Sequence, residues 1–191
     1  GVTGVQTCAL PIYDGTQPLF DPMCGAGSFV LASAKAAGLG FPGHTELLAA
    51  RLPGARVFEY GSGASTAWLA RRAGEVISVE HHADWHRLLS PLVAEFRNAQ
   101  LWQRELEGQD YIAAINEAGG QFDLIVVDGR RRIDCLTHAL PHLKPGGIVL
   151  FDDSGRNRYR AGIAACGLKE KHFYGRSYCV PYPDHSSILH G

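Results

Sequence analysis

From residue 44 onward, short apolar runs alternate with stretches in which apolar side chains recur at helical spacing. Val57-Phe58-Glu59-Tyr60, Val76-Ile77-Ser78-Val79, Leu124-Ile125-Val126-Val127 and Ile148-Val149-Leu150-Phe151 are continuous enough for strands covered on both faces. Between such runs, Leu47, Leu48 and Leu52 fall on one side of a helix. The pattern predicts helices over 44–52, 65–73, 84–98, 111–118, 133–143 and 159–166. It predicts strands over 56–60, 76–80, 101–106, 122–128, 147–152, 169–175 and 186–190. Regular alternation of this kind implies an α/β fold, doubly wound, with a mostly parallel sheet between two helical layers.

Chemistry enters at the end of the first strand. Glu59-Tyr60-Gly61-Ser62-Gly63-Ala64-Ser65-Thr66 carries a strand into a glycine turn and then a helix. Gly61 and Gly63 permit backbone angles closed to other residues and a close approach of main chain to ligand, and the helix start beyond them offers unpaired N–H groups. Glu59 places a carboxylate where a cationic ligand group would be held. The second strand ends in Glu80, where a doubly wound sheet presents an acid to a ribose diol. Together these predict a nucleotide-bearing cofactor.

The same residues resemble the class I S-adenosylmethionine-dependent methyltransferases, whose first turn reads E-x-G-x-G and whose second strand ends in an acid. Phe122-Asp123-Leu124-Ile125-Val126-Val127-Asp128-Gly129 looks like that family's fourth strand, and Leu143-Lys144-Pro145-Gly146-Gly147 followed by an apolar run looks like its fifth. The run E-Y-G-S-G-x-S-T, the S-V-E-H segment and D-G-R-x-R are similar to small bacterial methyltransferases of unassigned substrate. The resemblance implies a Rossmann-like seven-stranded sheet with its last strand antiparallel. It implies S-adenosylmethionine as cofactor, with Glu59 and the Gly61-Ser62-Gly63 backbone at the methionine part and Ser65 and Thr66 opening the helix behind it. Glu80 would take the ribose hydroxyls with His81 beside them, Asp110 and Tyr111 the adenine, and Asp128 would lie by the sulfonium. An ordinary helix-start role for Asp110 is equally compatible with its place before Tyr111.

Methyl transfer is an in-line displacement on an already activated carbon, so positioning and a route for the acceptor's proton are what the protein must supply. Asp128 and Asp152 are the catalytic candidates, at the ends of adjacent strands. With Asp153 they also allow a magnesium ion, as similar positions do in metal-dependent O-methyltransferases. Those enzymes carry Asp-Asn where this chain has Asp152-Asp153, and the arginines of Gly129-Arg130-Arg131-Arg132 offer to neutralise the carboxylates without a metal, so no metal ligand is assigned. Arg130–Arg132 with Arg156, Arg158 and Arg160 read either as solvated helix faces or as a clamp for an anionic acceptor. His81, His82 and His86 lack a third partner suited to a metal. Trp85 reads as core, while His172, Tyr178, Tyr182 and His185 are candidates to line an acceptor pocket.

Composition narrows the partners. Lys and Arg number 18 against 19 Asp and Glu, a net charge of −1, which gives nucleic acid no electrostatic footprint. No apolar run reaches membrane-spanning length, and five widely spaced cysteines fit free thiols in a reducing cytoplasm. The expectation is a cytoplasmic methyltransferase acting on a small-molecule hydroxyl, sugar-like or anionic, with oligomeric state open. A cofactor-binding but inactive chimeric product, or a dinucleotide-dependent oxidoreductase, are the alternatives; Thr66 stands where the latter wants glycine or alanine.

Residues 1–12 resemble the conceptual translation of a sequencing adapter and are set apart from fold reasoning. Residues 13–43 contain Asp21-Pro22-Met23-Cys24-Gly25-Ala26-Gly27-Ser28, similar to the first turn of nucleic-acid methyltransferases, yet no second strand with an acidic tip follows. They are read as an appendage or chimeric fragment, leaving 44–191 as the methyltransferase domain.

Overall fold

The computed structural model describes residues 11–13, 18–20, 44–176 and 183–191. The Asp21-to-Ser28 turn, Tyr178, Tyr182, Cys8, Cys24 and Cys179 lie outside the described residues. Pro11–Tyr13 pairs antiparallel with Pro18–Phe20.

Seven strands form one sheet: β1 (Arg56–Tyr60), β2 (Glu75–Glu80), β3 (Ala99–Gln103), β4 (Phe122–Val127), β5 (Leu143–Asp152), β6 (Lys169–Arg176) and β7 (Pro183–His190). Their order is β3-β2-β1-β4-β5-β7-β6. β7 runs antiparallel to both neighbours and every other pair is parallel, so the last strand alone reverses direction, as expected. The helices are α1 (His44–Arg51), α2 (Ala64–Ala70), α3 (Ala83–Val93), α4 (Asp110–Ala118), α5 (Arg132–Ala139) and α6 (Asn157–Ala165).

Strand parity divides the core in two. Val57, Val76, Leu124, Val126, Ile148 and Leu150 meet Leu48 of α1, Leu52 just past its end, and Trp68 and Leu69 of α2. Their neighbours Phe58, Ile77, Ile125, Val127, Val149 and Phe151 meet Ile112 and Ile115 of α4, Leu136 of α5 and Ile163 of α6. Both faces are therefore apolar, which is why the central strands read as unbroken runs.

Several boundaries differ from the sequence pattern. α2 stops at Ala70 instead of residue 73, and the Asn98 side chain donates to the carbonyls of Ala70 (2.8 Å) and Ala73 (2.9 Å) past its end. α3 stops at Val93 instead of 98, with Pro91 in its last turn. The chain then turns early, and β3 pairs from Ala99 on, opposite Val76. The Lys144-Pro145-Gly146-Gly147 segment lies inside β5 as an irregularity: Phe122 pairs with Leu143, but Leu124 pairs with Ile148. Gly146 has φ 77°, and a Cβ on Gly147 would stand 2.9 Å from the Lys144 carbonyl oxygen.

The seven strands of the sheet and the helices α1 to α6 lie beyond residue 43. A chain lacking residues 1–40 is therefore expected to keep one cooperative thermal transition; its loss would show that the earlier segment belongs to the core.

Candidate active site at the carboxyl edge of the sheet

The strand order reverses about β1, whose neighbours are β2 and β4, and ligands in such sheets bind beyond the carboxyl ends at that point. Here the turns after β1 and β4 meet backbone to backbone. A Cβ on Gly61 would lie 2.7 Å from both Cα and N of Gly129, and Gly61 has φ 91°. The Gly61 N–H donates to the Val79 carbonyl (3.0 Å) and the Asp128 N–H to the Tyr60 carbonyl (2.9 Å). Gly63 differs from expectation: its φ of −172° is ordinary extended backbone, and its N–H donates to Thr66 Oγ1 (3.0 Å). The special conformation belongs to Gly61 alone in this turn.

Glu59 is fully buried beneath the turn. Strand parity points it, with Val57, toward α2. There Ser65 Oγ donates to Oε1, and Thr66 Oγ1 (2.5 Å) and Ser78 Oγ (2.6 Å) donate to Oε2. Ser62 Oγ adds a hydrogen bond to Ser78 Oγ at 2.7 Å. Burial pushes the Glu59 carboxyl up to about 7, opposed by its hydroxyl donors and reinforced by Glu80. The expected ligand-facing carboxylate is thus a buried hub, joining the first strand, the second strand and the helix start. Ser78 was not a sequence candidate, though a serine within an apolar strand signalled a buried polar partner.

Glu80 is also buried, at 3% exposed, so it differs from a solvated strand-tip acid. Its Oε1 accepts the N–H groups of His81 (2.8 Å) and His82 (2.7 Å), and its Oε2 accepts that of Ser62 at 3.3 Å. Among the described residues, the buried side-chain polar atoms without a hydrogen bond are His81 Nδ1 and the Tyr111 hydroxyl. His81 Nδ1 is 2.9 Å from Glu80 Oε1 but outside hydrogen-bond geometry. The two rings make an edge contact with centroids 5.8 Å apart. Asp110 stands exposed as the first residue of α4, with Gln109 as its cap. Trp85 is core, and its Nε1 donates to the Ser62 carbonyl (2.8 Å), anchoring the turn. His82 caps α3 through Trp85 N, and His86 faces the Leu101 carbonyl, so neither approaches a metal site.

At the ends of β4 and β5, Asp128, Asp152 and Asp153 converge on the Arg132 guanidinium, at 3.1, 3.2 and 3.1 Å. Burial, then the Asp128 charge, raises the Asp152 carboxyl well above the usual carboxylate range, against the pull of Arg132. The donor set does not fit the magnesium ion that the three acids allowed. An arginine already occupies their common point, and among the described residues no group of three His, Cys, Asp or Glu side chains is arranged to hold a metal. The arginines that read either as solvated helix faces or as an anion clamp are mostly paired internally. Arg131 binds Asp134, Arg156 binds Asp153 and Arg160 binds Glu170. His172 and His185 come together on the β6–β7 pair, Nε2 to Nδ1 at 2.9 Å, with Tyr174 against His185.

The Glu59 hub gives a pH signature. Its folded-state value of about 7 lies above the ordinary carboxyl value of 4.5, so the folded protein binds the proton more tightly, and stability falls as pH rises through that window. Between about pH 5 and pH 8 the loss from this group is about 2 to 3 kcal/mol. Glu59→Gln is expected to remove that portion of the slope. Urea unfolding of both proteins at the two pH values measures it, and equal slopes would show that the carboxyl is ionised throughout.

Comparison with known proteins bears on this arrangement. No curated protein sequence matches the chain. A structure described as an O-methyltransferase from Klebsiella pneumoniae shares 22% identity, covering 84% of this chain and 86% of its own, with a TM-score of 0.61. The N-methyltransferase NodS from Bradyrhizobium japonicum WM9, in complex with S-adenosyl-L-homocysteine, shares 16% over 76% of this chain and 84% of its own, with a TM-score of 0.57. An rRNA methylase from Streptococcus thermophilus shares 13% over 76% and 92%, also with a TM-score of 0.57. At these identities the likeness is one of fold. The family model described as a methyltransferase domain matches residues 58–154, just over half of the chain and the span from β1 through the Asp152-Asp153 turn. The chain belongs to this methyltransferase domain family, with the S-adenosylmethionine-dependent methyltransferase fold.

Proposed function

We propose that this protein transfers a methyl group from S-adenosylmethionine to a hydroxyl of a small molecule, using the turn after β1 as its cofactor site. The observation that carries the reading is the coincidence at one crevice of three features. They are the close-packed Gly61 turn, the buried Glu80 carboxylate held by backbone amides, and two buried polar atoms outside hydrogen-bond geometry, His81 Nδ1 and Tyr111 OH. Polar atoms left unpaired in a folded interior are costly, and a polar ligand at that crevice would relieve the cost.

The cofactor, when bound, supplies a methyl group already activated by a positive sulfur. Glu80 is the ribose-binding acid in this reading, its carboxylate oriented in advance by the His81, His82 and Ser62 amides. Gly61, Ser62 and Gly63 present backbone to the amino-acid part, with Glu59, Ser65 and Thr66 supporting them from below. Asp110 and Tyr111 border the base. Asp128 and Asp152, at the ends of β4 and β5, are the candidates to receive the acceptor's proton, and burial with the Asp128 charge raises the Asp152 carboxyl. A net charge of −1 favours a small hydroxylated acceptor over nucleic acid.

Glu80→Gln keeps the shape and removes the charge. Charge-assisted bonds of about 1.5–3 kcal/mol each are at stake, so affinity for S-adenosylhomocysteine is expected to fall at least about tenfold by calorimetry. Unchanged affinity would place the cofactor elsewhere. Gly61→Ala, strained by its φ and by the Gly129 backbone, is expected to abolish binding and lower Tm, whereas Gly27→Ala leaves both intact. The reverse pair of results would assign the site to the earlier glycine turn.

A further inference from the structure

The Arg132 guanidinium is 6% exposed, and oxygen atoms surround it. Nη1 faces Asp152 Oδ2 and Asp153 Oδ2, and Nη2 faces Asp128 Oδ1. The remaining directions end on carbonyls: Nε donates to Gly129 (3.0 Å), Nη2 to Asp128 (3.0 Å) and Nη1 to Asp152. Asp153 has a second partner in the half-exposed Arg156, at 2.8 Å. Arg131 (φ 49°) and Asp153 (φ 55°) are, among the described residues, the non-glycine residues with left-handed backbone. One immediately precedes Arg132 and the other is one of its carboxylate partners. Strain of this kind persists only where surrounding contacts compensate it.

We propose that Arg132 is the built-in cation of this site. It is a positioning residue that holds the β4 and β5 strand ends together where three carboxylates would otherwise gather a divalent metal, so the protein needs no metal there. Three buried carboxylates without a cation would have to take up protons to stay together. A guanidinium is permanently charged, and its planar fork matches several oxygens at once. Because the same group grips the Asp128 and Gly129 carbonyls, it also fixes the segment against which Gly61 packs. A metal ion would require both removal of the fork and inward movement of the acids, from N···O separations of 3.1–3.2 Å to ligand distances of roughly 2.1–2.6 Å.

The test is thermal unfolding with and without about 10 mM Mg²⁺, Mn²⁺ or Ca²⁺, a readout independent of the acceptor and of cofactor binding. Wild-type Tm is expected to be unmoved by the cations or by a chelator. Arg132→Ala is expected to melt lower and to regain at least about 3 °C with one of the cations. Asp152→Asn and Asp153→Asn added to Arg132→Ala should abolish that recovery. Arg132→Lys keeps a cation in place and should fold without metal and show no shift. The proposal is overturned if wild type gains stability from the cations or loses it to the chelator. It is equally overturned if Arg132→Ala is unmoved or unfolded in all three cations, or if Arg132→Lys responds to them.

Discussion

One buried carboxylate organises the carboxyl edge of this sheet. Glu59 sits under the glycine turn and accepts hydroxyls from Ser65, Thr66 and Ser78, which belong to the start of α2 and to β2. Thr66 in turn accepts the Gly63 N–H, Ser78 pairs with Ser62, and the Ser62 carbonyl is held by Trp85 of α3. Much of the turn is therefore tied back, through hydroxyls, to one buried point. The consequence is a backbone whose position is set before any ligand arrives, the condition for recognition through main-chain groups.

Much of this was legible in the sequence. The order of strands and helices followed from apolar runs alternating with helical spacing, and the turn and its acids were visible because glycines and carboxylates interrupt those runs at strand ends. The roles of the acids were less legible. Glu59 reads as a ligand-facing group when only its place at a strand end is considered. Parity with Val57 turns it instead toward α2, and Ser65, Thr66 and Ser78 supply partners that only the folded register brings together. The Lys144-Pro145-Gly146-Gly147 segment, the most specific part of the resemblance, forms a bulge near the start of β5 and lies far from the ligand edge in register.

The three consecutive arginines were ambiguous for a similar reason. Composition gives them one character, but the backbone gives them three environments. Arg130 is exposed, Arg131 turns through φ 49° to bind Asp134, and Arg132 faces inward as the first residue of α5. Pairing β4 beside β5 brings Asp128 and Asp152 to the same end of adjacent strands, with Asp153 just beyond, and only then does one arginine acquire three acids. No local pattern encodes that meeting, since it depends on a strand pair formed across the α5 crossover.

The two acidic groups flanking β1 are thus managed by different means, and the difference fits what lies beside each. Glu80 is held by backbone amides, whose partial charges orient a carboxylate without neutralising it. On the other side, a full guanidinium charge is set against Asp128, Asp152 and Asp153. A carboxyl held by amides keeps lone pairs for a ligand's hydroxyls, whereas acids paired with a buried cation are suited to fixing a turn. Gly61 lies between them, packed on Gly129, whose carbonyl Arg132 grips. A change in that grip would therefore be felt first as movement of the Gly129 backbone against the turn, because there the two sides touch with no side chain between to absorb it.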